Sequence, residues 1–272
     1  MNFLQPTMEQ RLAVREQPSG CPVMRQRWAG LLFLHWPVDT ALIAERLPAG
    51  LHVDTFEGQA WIGVVPFFME RVRPVALPPV PWLSWFLELN VRTYVHDDDG
   101  NPGVWFFSLD CNQSLAVEIA RRAFHLPYEH ASMRSETADE RVHYRSRRKA
   151  SGAVDAVYDY HNPDVTSPAE PGSLEWFLVE RYLLFSSNKS GGLFRGQVHH
   201  TPYQIAPARC DTWSAEPLRL NGFPVPVTPP LSMLTAAPVD VSVYPLTRCE
   251  RPNHPGKQQE VERQDRQPVE SA

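Results

Sequence analysis

Residues 86–95, FLELNVRTYV, set polar-capable side chains two positions apart. Along a strand, successive side chains point to opposite faces. Glu88, Asn90, Arg92 and Tyr94 therefore share one face, and Leu87, Leu89, Val91 and Thr93 share the other. Such a face meets either solvent, as ordinary surface charge, or a polar cavity holding both a carboxylate and a guanidinium. At ~3.3 Å per residue, Glu88 and Arg92 lie about 13 Å apart along the strand, so nothing obliges them to pair. Tyr128-Glu129 follows Leu126-Pro127. Tyr128 could act as a general acid or hydrogen-bond donor, or stand as a core aromatic with a satisfied hydroxyl; with a reference pKa of about 10 it cannot trap a ketone. Covalent imine chemistry needs a lysine, and the chain has only Lys149, Lys189 and Lys257. They lie in a basic strand end, a Ser/Gly-rich turn and a polar tail, where nothing lowers an amine's pKa.

His199-His200 invites a metal reading, but adjacent strand residues face opposite ways and cannot easily share one ion. No metal and no cofactor is expected; one of the two histidines, taken as His199, could serve a cavity as base or hydrogen-bond partner. His35 reads as a satisfied core histidine. Glu180-Arg181 reads as an ion pair tying a helix to the sheet, and Arg195 could supply a cavity with a second cation. No Gly-x-Gly-x-x-Gly, P-loop, Gly-x-Ser-x-Gly or His-Glu-x-x-His occurs, so nucleotide-binding and standard hydrolase readings lack support.

The elements that must position these residues are short. Twenty-seven prolines in 272 residues, spread along the chain, are about twice the usual share and favour strands and turns over long helices. Strands are expected over 29–36, 51–56, 59–68, 85–95, 103–109, 131–135, 142–148, 152–160, 193–205 and 239–246. The 51–56 and 59–68 runs suggest a hairpin about Glu57-Gly58, and the next hairpin crosses HDDDGNP, whose aspartates read as a solvated turn. Helices are expected after Asp39, over 114–124 with Leu115, Ile119 and Ala123 on one side, and from Ser173. Residues 71–84 read as a packed, proline-rich crossover. The chain divides into a loose leader over 1–24, one domain over 25–249 and a disordered polar tail over 250–272. The net charge of −5 gives no support for a nucleic-acid partner. Four cysteines without Cys-x-x-Cys spacing read as free thiols, and no apolar run approaches the ~20 residues that span a bilayer. A cytoplasmic protein without membrane contact is expected.

Several stretches, LLFLHWPVD (31–39), GLHVDTFEGQAWIGVVPFFM (50–69), FLELNVRTYV (86–95), GVWFFSLD (103–110), VERYLLF (179–185) and RGQVHHTPY (195–203), resemble the YqjF-like family of bacterial proteins. That family is grouped with the acetoacetate decarboxylase-like superfamily. The segment VWFFSLDCNQSLAVEIARRAFHLPYEH (104–130) resembles the active-site segment of the decarboxylases, where Phe-Pro-Lys-Lys carries the Schiff-base lysine. Here Leu126-Pro127 match Phe-Pro, but Tyr128 and Glu129 stand in place of the two lysines. The resemblance implies a mainly β (α+β) fold, a closed antiparallel cone or barrel with about three short helices around a central cavity, and a homo-oligomer. It also implies that Glu88 matches a glutamate lining that cavity, so that Arg92 faces the same interior and could hold a carboxylate, enolate or phenolate.

The resulting expectation is a binder of a small organic molecule: an oxo-acid, an enolisable carbonyl or an aromatic. Any catalysis would be acid–base, lyase- or isomerase-like and without an imine. Glu88, Tyr128 and His199 would be its catalytic residues, and Asn90, Arg92, Glu129 and Arg195 its ligand-binding residues. The alternative is a non-catalytic ligand-binding or assembly scaffold.

Overall fold

A computed structural model of the chain describes residues 4–163 and 165–249. The first elements are α1 (Met8–Ala13), β1 (Met24–Ala29), β2 (Leu31–Val38), α2 (Thr40–Ala44) and β3 (Leu51–Val53). Two long strands follow, β4 (Ala60–Pro74) and β5 (Phe86–Asp97), then β6 (Pro102–Cys111) and α3 (Ser114–Ala123). Next come β7 (Tyr128–Ala138), β8 (Arg141–Arg148), β9 (Ala156–His161), β10 (Ser167–Pro168) and α4 (Leu174–Val179). The chain continues through β11 (Leu183–Ser187), β12 (Leu193–His199), β13 (Gln204–Pro207) and β14 (Cys210–Thr212). It closes with α5 (Glu216–Leu220), β15 (Ser232–Ala236), β16 (Val239–Val243) and β17 (Thr247–Arg248). No helix among the described residues is long and apolar enough to cross a membrane.

The fold is mainly β, and its pairings form a circuit. β4 pairs with β5, β5 with β6, β6 with β11 and β11 with β12. β12 then pairs with β16, β16 with β1, and β1 again with β4. Two pairings, β6 with β11 and β6 with β7, are parallel, so the sheet is mixed rather than purely antiparallel. The chain leaves β6 through α3, a crossover long enough to bring β7 back in the same direction. The described residues hold five helices rather than about three. α1 and α5 are too short to show an apolar period: α1 rests on a Thr7–Gln10 capping box, and α5 has a proline in its first turn.

The faces of β2, β4 and β5 divide the interior into two packed regions. Phe33, Val65, Phe67 and Leu109 belong to one cluster, while Leu34, Val64, Leu89, Val91 and Tyr144 belong to the other. Both faces of β4 are therefore buried, and its sequence, AWIGVVPFF, is apolar without alternation. The expected hairpin about Glu57-Gly58 is reduced to a turn bridging Phe56 and Gln59. β3 pairs instead with β5, Leu51 opposite Asp97. The aspartates of the β5–β6 turn are not simply solvated. Asp97 is buried and accepts from the backbone N–H groups of Asp99 and Asn101, holding the turn together.

α3 also departs from expectation. It packs through Ala116, Val117, Ala120 and Phe124, while Leu115 and Ile119 are about half exposed. Small residues let the helix approach closely and turn its larger side chains outward. The stretch 71–84, expected to be packed, leaves Leu77 57% and Trp82 72% exposed. The expected tail over 250–272 lies outside the described residues. Helix α1 falls within 1–24, where Arg11 reaches the buried Asp54.

The parallel step of the circuit depends on one glycine. A Cβ at Gly103 would stand 2.8 Å from the carbonyl oxygen of Leu183, where β6 meets β11. Gly103→Ala is expected to lower unfolding free energy by about 1–3 kcal/mol, read from urea titration; an unchanged midpoint would refute the close approach.

Candidate functional site

Within the circuit lies a pocket of about 280 Å³, the room of roughly nine waters. Its wall follows the strand alternation. Val65, Phe67 and Met69 face it from β4, and Glu88, Asn90 and Arg92 from β5. β6 contributes Val104, Phe106 and Leu109, a spacing of two and then three. Pairing with β5 slips there, as Val91 faces Ser108 and Arg92 faces Phe106. The extra residue, Phe107, turns outward against Phe223. A bulge thus changes which face of β6 meets the pocket.

Glu88 is 3% exposed, and its Oε2 accepts the Tyr128 hydroxyl proton in a 2.8 Å hydrogen bond. The parallel β6–β7 pairing makes this contact. Cys111 stands opposite both Glu88 on β5 and His130 on β7, bringing the start of β7 alongside. Burial pushes the Glu88 carboxyl up to about 7, only partly offset by the hydrogen bond from Tyr128. The Tyr128 hydroxyl is held well above its ordinary value by burial and then by Glu88, so it remains a donor. Near neutrality Glu88 can therefore either take or give a proton.

Arg92 follows two residues after Asn90 on the same face of β5. Its Nη2 donates to the Leu178 carbonyl at 3.0 Å, and the Tyr94 hydroxyl donates to the same oxygen at 2.8 Å. Leu178 belongs to the last turn of α4, where carbonyls lack intrahelical partners. Arg181 Nε meets the neighbouring free carbonyl, Phe177, at 2.8 Å, and its Nη1 pairs with Asp54 at 2.6 Å. The Arg181 and Arg11 guanidiniums hold Asp54 below the usual carboxylate value despite its burial. Arg92 is 9% exposed, yet among the described residues no carboxylate lies within ion-pair distance of it. Its Nε and the Oδ1 of Asn90 have no hydrogen-bond partner among the described residues.

His35 Nε2 lies 2.7 Å from the Tyr94 hydroxyl. Since that hydroxyl donates to Leu178, Nε2 carries the imidazole proton. Burial and then Arg92 lower the His35 pKa well below its ordinary value, keeping the ring neutral. Gly63 makes room for this pair, because a Cβ there would stand 2.9 Å from the His35 ring and 3.7 Å from Arg92 Cγ.

The structure therefore brings together Glu88, Asn90, Arg92 and Tyr128 among the residues singled out in the sequence. Glu129 points away to Arg121 at 3.4 Å. Arg195 lies 3.4 Å from Asp97 and lines a separate surface pocket. His199 does not line the main pocket, and His200 is buried against Tyr182, with its pKa lowered to about 4 by burial. Glu180 and Arg181 do not pair with each other. Glu180 accepts from Tyr182 and from the Tyr203 backbone, while Arg181 turns to Asp54 and also lines the pocket. The short chain reversal after α4 sends these adjacent side chains to different neighbours. Arg181 was thus given the wrong partner and Asp54 was not singled out; the one signal for Asp54 was a carboxylate directly after the apolar-alternating Leu51-His52-Val53. Lys149 and Lys189 are exposed and outside the pocket, and Lys257 lies outside the described residues.

A model of the DUF2071 family, uncharacterized conserved proteins, matches residues 25–240. The chain is 37% identical over 231 residues to the uncharacterized protein YqjF of Bacillus subtilis strain 168, covering 85% of this chain and 94% of that one. Among solved structures, acetoacetate decarboxylase from Legionella pneumophila matches with a TM-score of 0.58 at 11% identity, over 92% of this chain and 98% of its own. The enduracididine biosynthesis enzyme MppR complexed with pyruvate gives 0.56 at 11% identity, over 84% and 91%. At such identities the likeness is one of fold.

The raised Glu88 value has a thermodynamic consequence. An unfolded glutamate loses its proton near 4.5, whereas the folded one keeps it to about 7. Between those values the folded state binds the extra proton, so stability falls as pH rises from about 4.5 to about 7 and then levels, by up to about 3 kcal/mol. Glu88→Gln is expected to remove most of that fall when urea unfolding is compared at pH 5 and pH 8. An identical fall in the variant would show that Glu88 does not carry it.

Proposed function

The chain belongs to the DUF2071 family and has an acetoacetate decarboxylase-like fold, and we propose that its pocket binds a small organic molecule, an oxo-acid or other enolisable carbonyl, for acid–base chemistry without an imine. The observation that carries this reading is the buried Glu88–Tyr128 hydrogen bond, in the same pocket as an Arg92 that lacks a carboxylate partner. MppR, whose structure contains pyruvate, supports the choice of oxo-acids. The circuit of pairings is read as a closed barrel with the pocket as its interior. Cytoplasmic residence belongs to the proposal too, supported by four free cysteines. So does a homo-oligomer, supported by exposed Leu77 and Trp82.

In the proposed reaction the Glu88 carboxylate takes a proton from the carbon beside the carbonyl. The C–H electron pair becomes the enolate, whose charge Arg92 meets through its planar fork. Tyr128, held at Glu88, donates a hydrogen bond to that carboxylate and keeps it oriented. Return of the proton to the same carbon gives exchange alone; delivery to the neighbouring carbon makes the outcome isomerase-like, and departure of a group with the enolate's electron pair makes it lyase-like. No step passes through a lysine.

Three measurements test this. With pyruvate in deuterated buffer, NMR is expected to show protein-dependent exchange of the methyl protons, reduced at least about a hundredfold by Glu88→Gln. Arg92→Ala is expected to abolish the thermal shift given by an oxo-acid that binds. Borohydride added with acetoacetate is expected to leave the protein mass unchanged, and a lysine adduct would overturn the imine-free mechanism. Binding without any proton exchange across the oxo-acids tested would make the protein a non-catalytic binder.

A further inference from the structure

The pocket is chemically graded along β5. Arg92 and Asn90 stand at its deep end, Glu88 comes next, and Phe86 stands six residues from Arg92 at the other end. The facing strand β4 follows the same order, with Val65 opposite Asn90, Phe67 opposite Glu88 and Met69 opposite Phe86. Six strand residues cover about 20 Å. Beyond Phe86 the wall continues in Leu83 and Ile119, and Ile119 is half exposed, so the opening lies beside α3. Above Glu88 the lining is mainly apolar, with Gln26 and Arg73 as its polar members near the rim.

A three-carbon oxo-acid held at Arg92 would leave this upper wall facing water. The deep end has the opposite need. Arg92 is more than nine-tenths buried without a carboxylate partner, and Asn90 makes no side-chain hydrogen bond among the described residues. A buried cation in that state calls for an anion, and an apolar channel calls for an apolar chain.

Resting on the pocket reading above, we infer that the ligand is an amphiphilic acid. Its carboxylate sits against Arg92 and Asn90, and its apolar tail runs past Glu88 along Phe67, Met69 and Phe86 to the opening at α3. Such a ligand places the carbons next to its head within reach of Glu88. The tail supplies affinity and the head supplies orientation.

Calorimetric titration with acetate, butanoate, hexanoate and octanoate tests the tail. Affinity is expected to rise about fourfold per added methylene until the channel is filled. Octanol should bind at least about tenfold more weakly than octanoate, and Arg92→Met should remove that difference while keeping the rise with length. Should Arg92→Met fail to fold, the comparison of octanol with octanoate on the unaltered protein still decides the head. Ile119→Trp, a substitution at the half-exposed opening, is expected to weaken octanoate and spare butanoate, with the circular-dichroism melt checking that it folds. Equal affinity along the series overturns the tail, and equal affinity of octanol and octanoate overturns the head. If the series is flat but pyruvate exchanges its protons, this inference fails and the acid–base reading stands. If the series rises but no carbonyl compound exchanges, the acid–base reading fails alone.

Discussion

Two guanidiniums are buried at the C-terminal end of one six-residue helix, and only one of them has a carboxylate. The last carbonyls of α4 need donors that the helix cannot supply, and Arg92, Tyr94 and Arg181 supply them. Asp54 then neutralises Arg181, with Arg11 from α1 closing on the same carboxylate. Arg92 is left as a positive charge fixed by a neutral carbonyl, flanked by a neutral His35 and by the Phe33 ring 5.3 Å away. Such a group is costly while it stands alone and selective once an anion meets it. The placement of β5, the glycine at 63 and the docking of α4 all serve to hold it there.

At the other polar position the protein uses the opposite device. Glu88 has no cation beside it, only a phenol, and burial alone raises its proton affinity. Placing the two charges on one strand face, two turns of the pleat apart, keeps them from cancelling each other. A carboxylate beside Arg92 would stay ionised and unreactive. A carboxylate beside Tyr128 in an apolar wall remains able to exchange its proton near neutral pH.

Much of this was legible because a strand's alternation is strict. FLELNVRTYV placed Glu88, Asn90 and Arg92 on one face without any knowledge of the fold. Tyr128 was singled out only by resemblance, since nothing local distinguishes it from a core aromatic. Other features could not be read because they arise between distant segments. Arg181 finds Asp54, 127 residues earlier, although Glu180 is its neighbour in sequence. β4 is apolar on both faces, so its sequence could not reveal which side meets the pocket. In α3 Leu115 and Ile119 promised the buried face, whereas Ala116, Val117, Ala120 and Phe124 make the contact. β3 joined β5 rather than β4 because pairing partners follow the sheet, which a local turn motif does not define.

The circuit of pairings also orders events in time. β1, near the start of the chain, is held between β4 and β16, and β16 is made more than two hundred residues later. As a nascent chain leaves the ribosome, β4, β5 and β6 are complete long before β11, β12 and β16 can join them. During that interval the wall carrying Phe67, Met69 and Phe86 is open to water, with an unpaired β6 edge beside it. Such a surface invites self-association, and its contacts are far apart in sequence, which slows closure. The apolar lining that suits the interior to a ligand is thus, before β16 arrives, what a chaperone would have to shield.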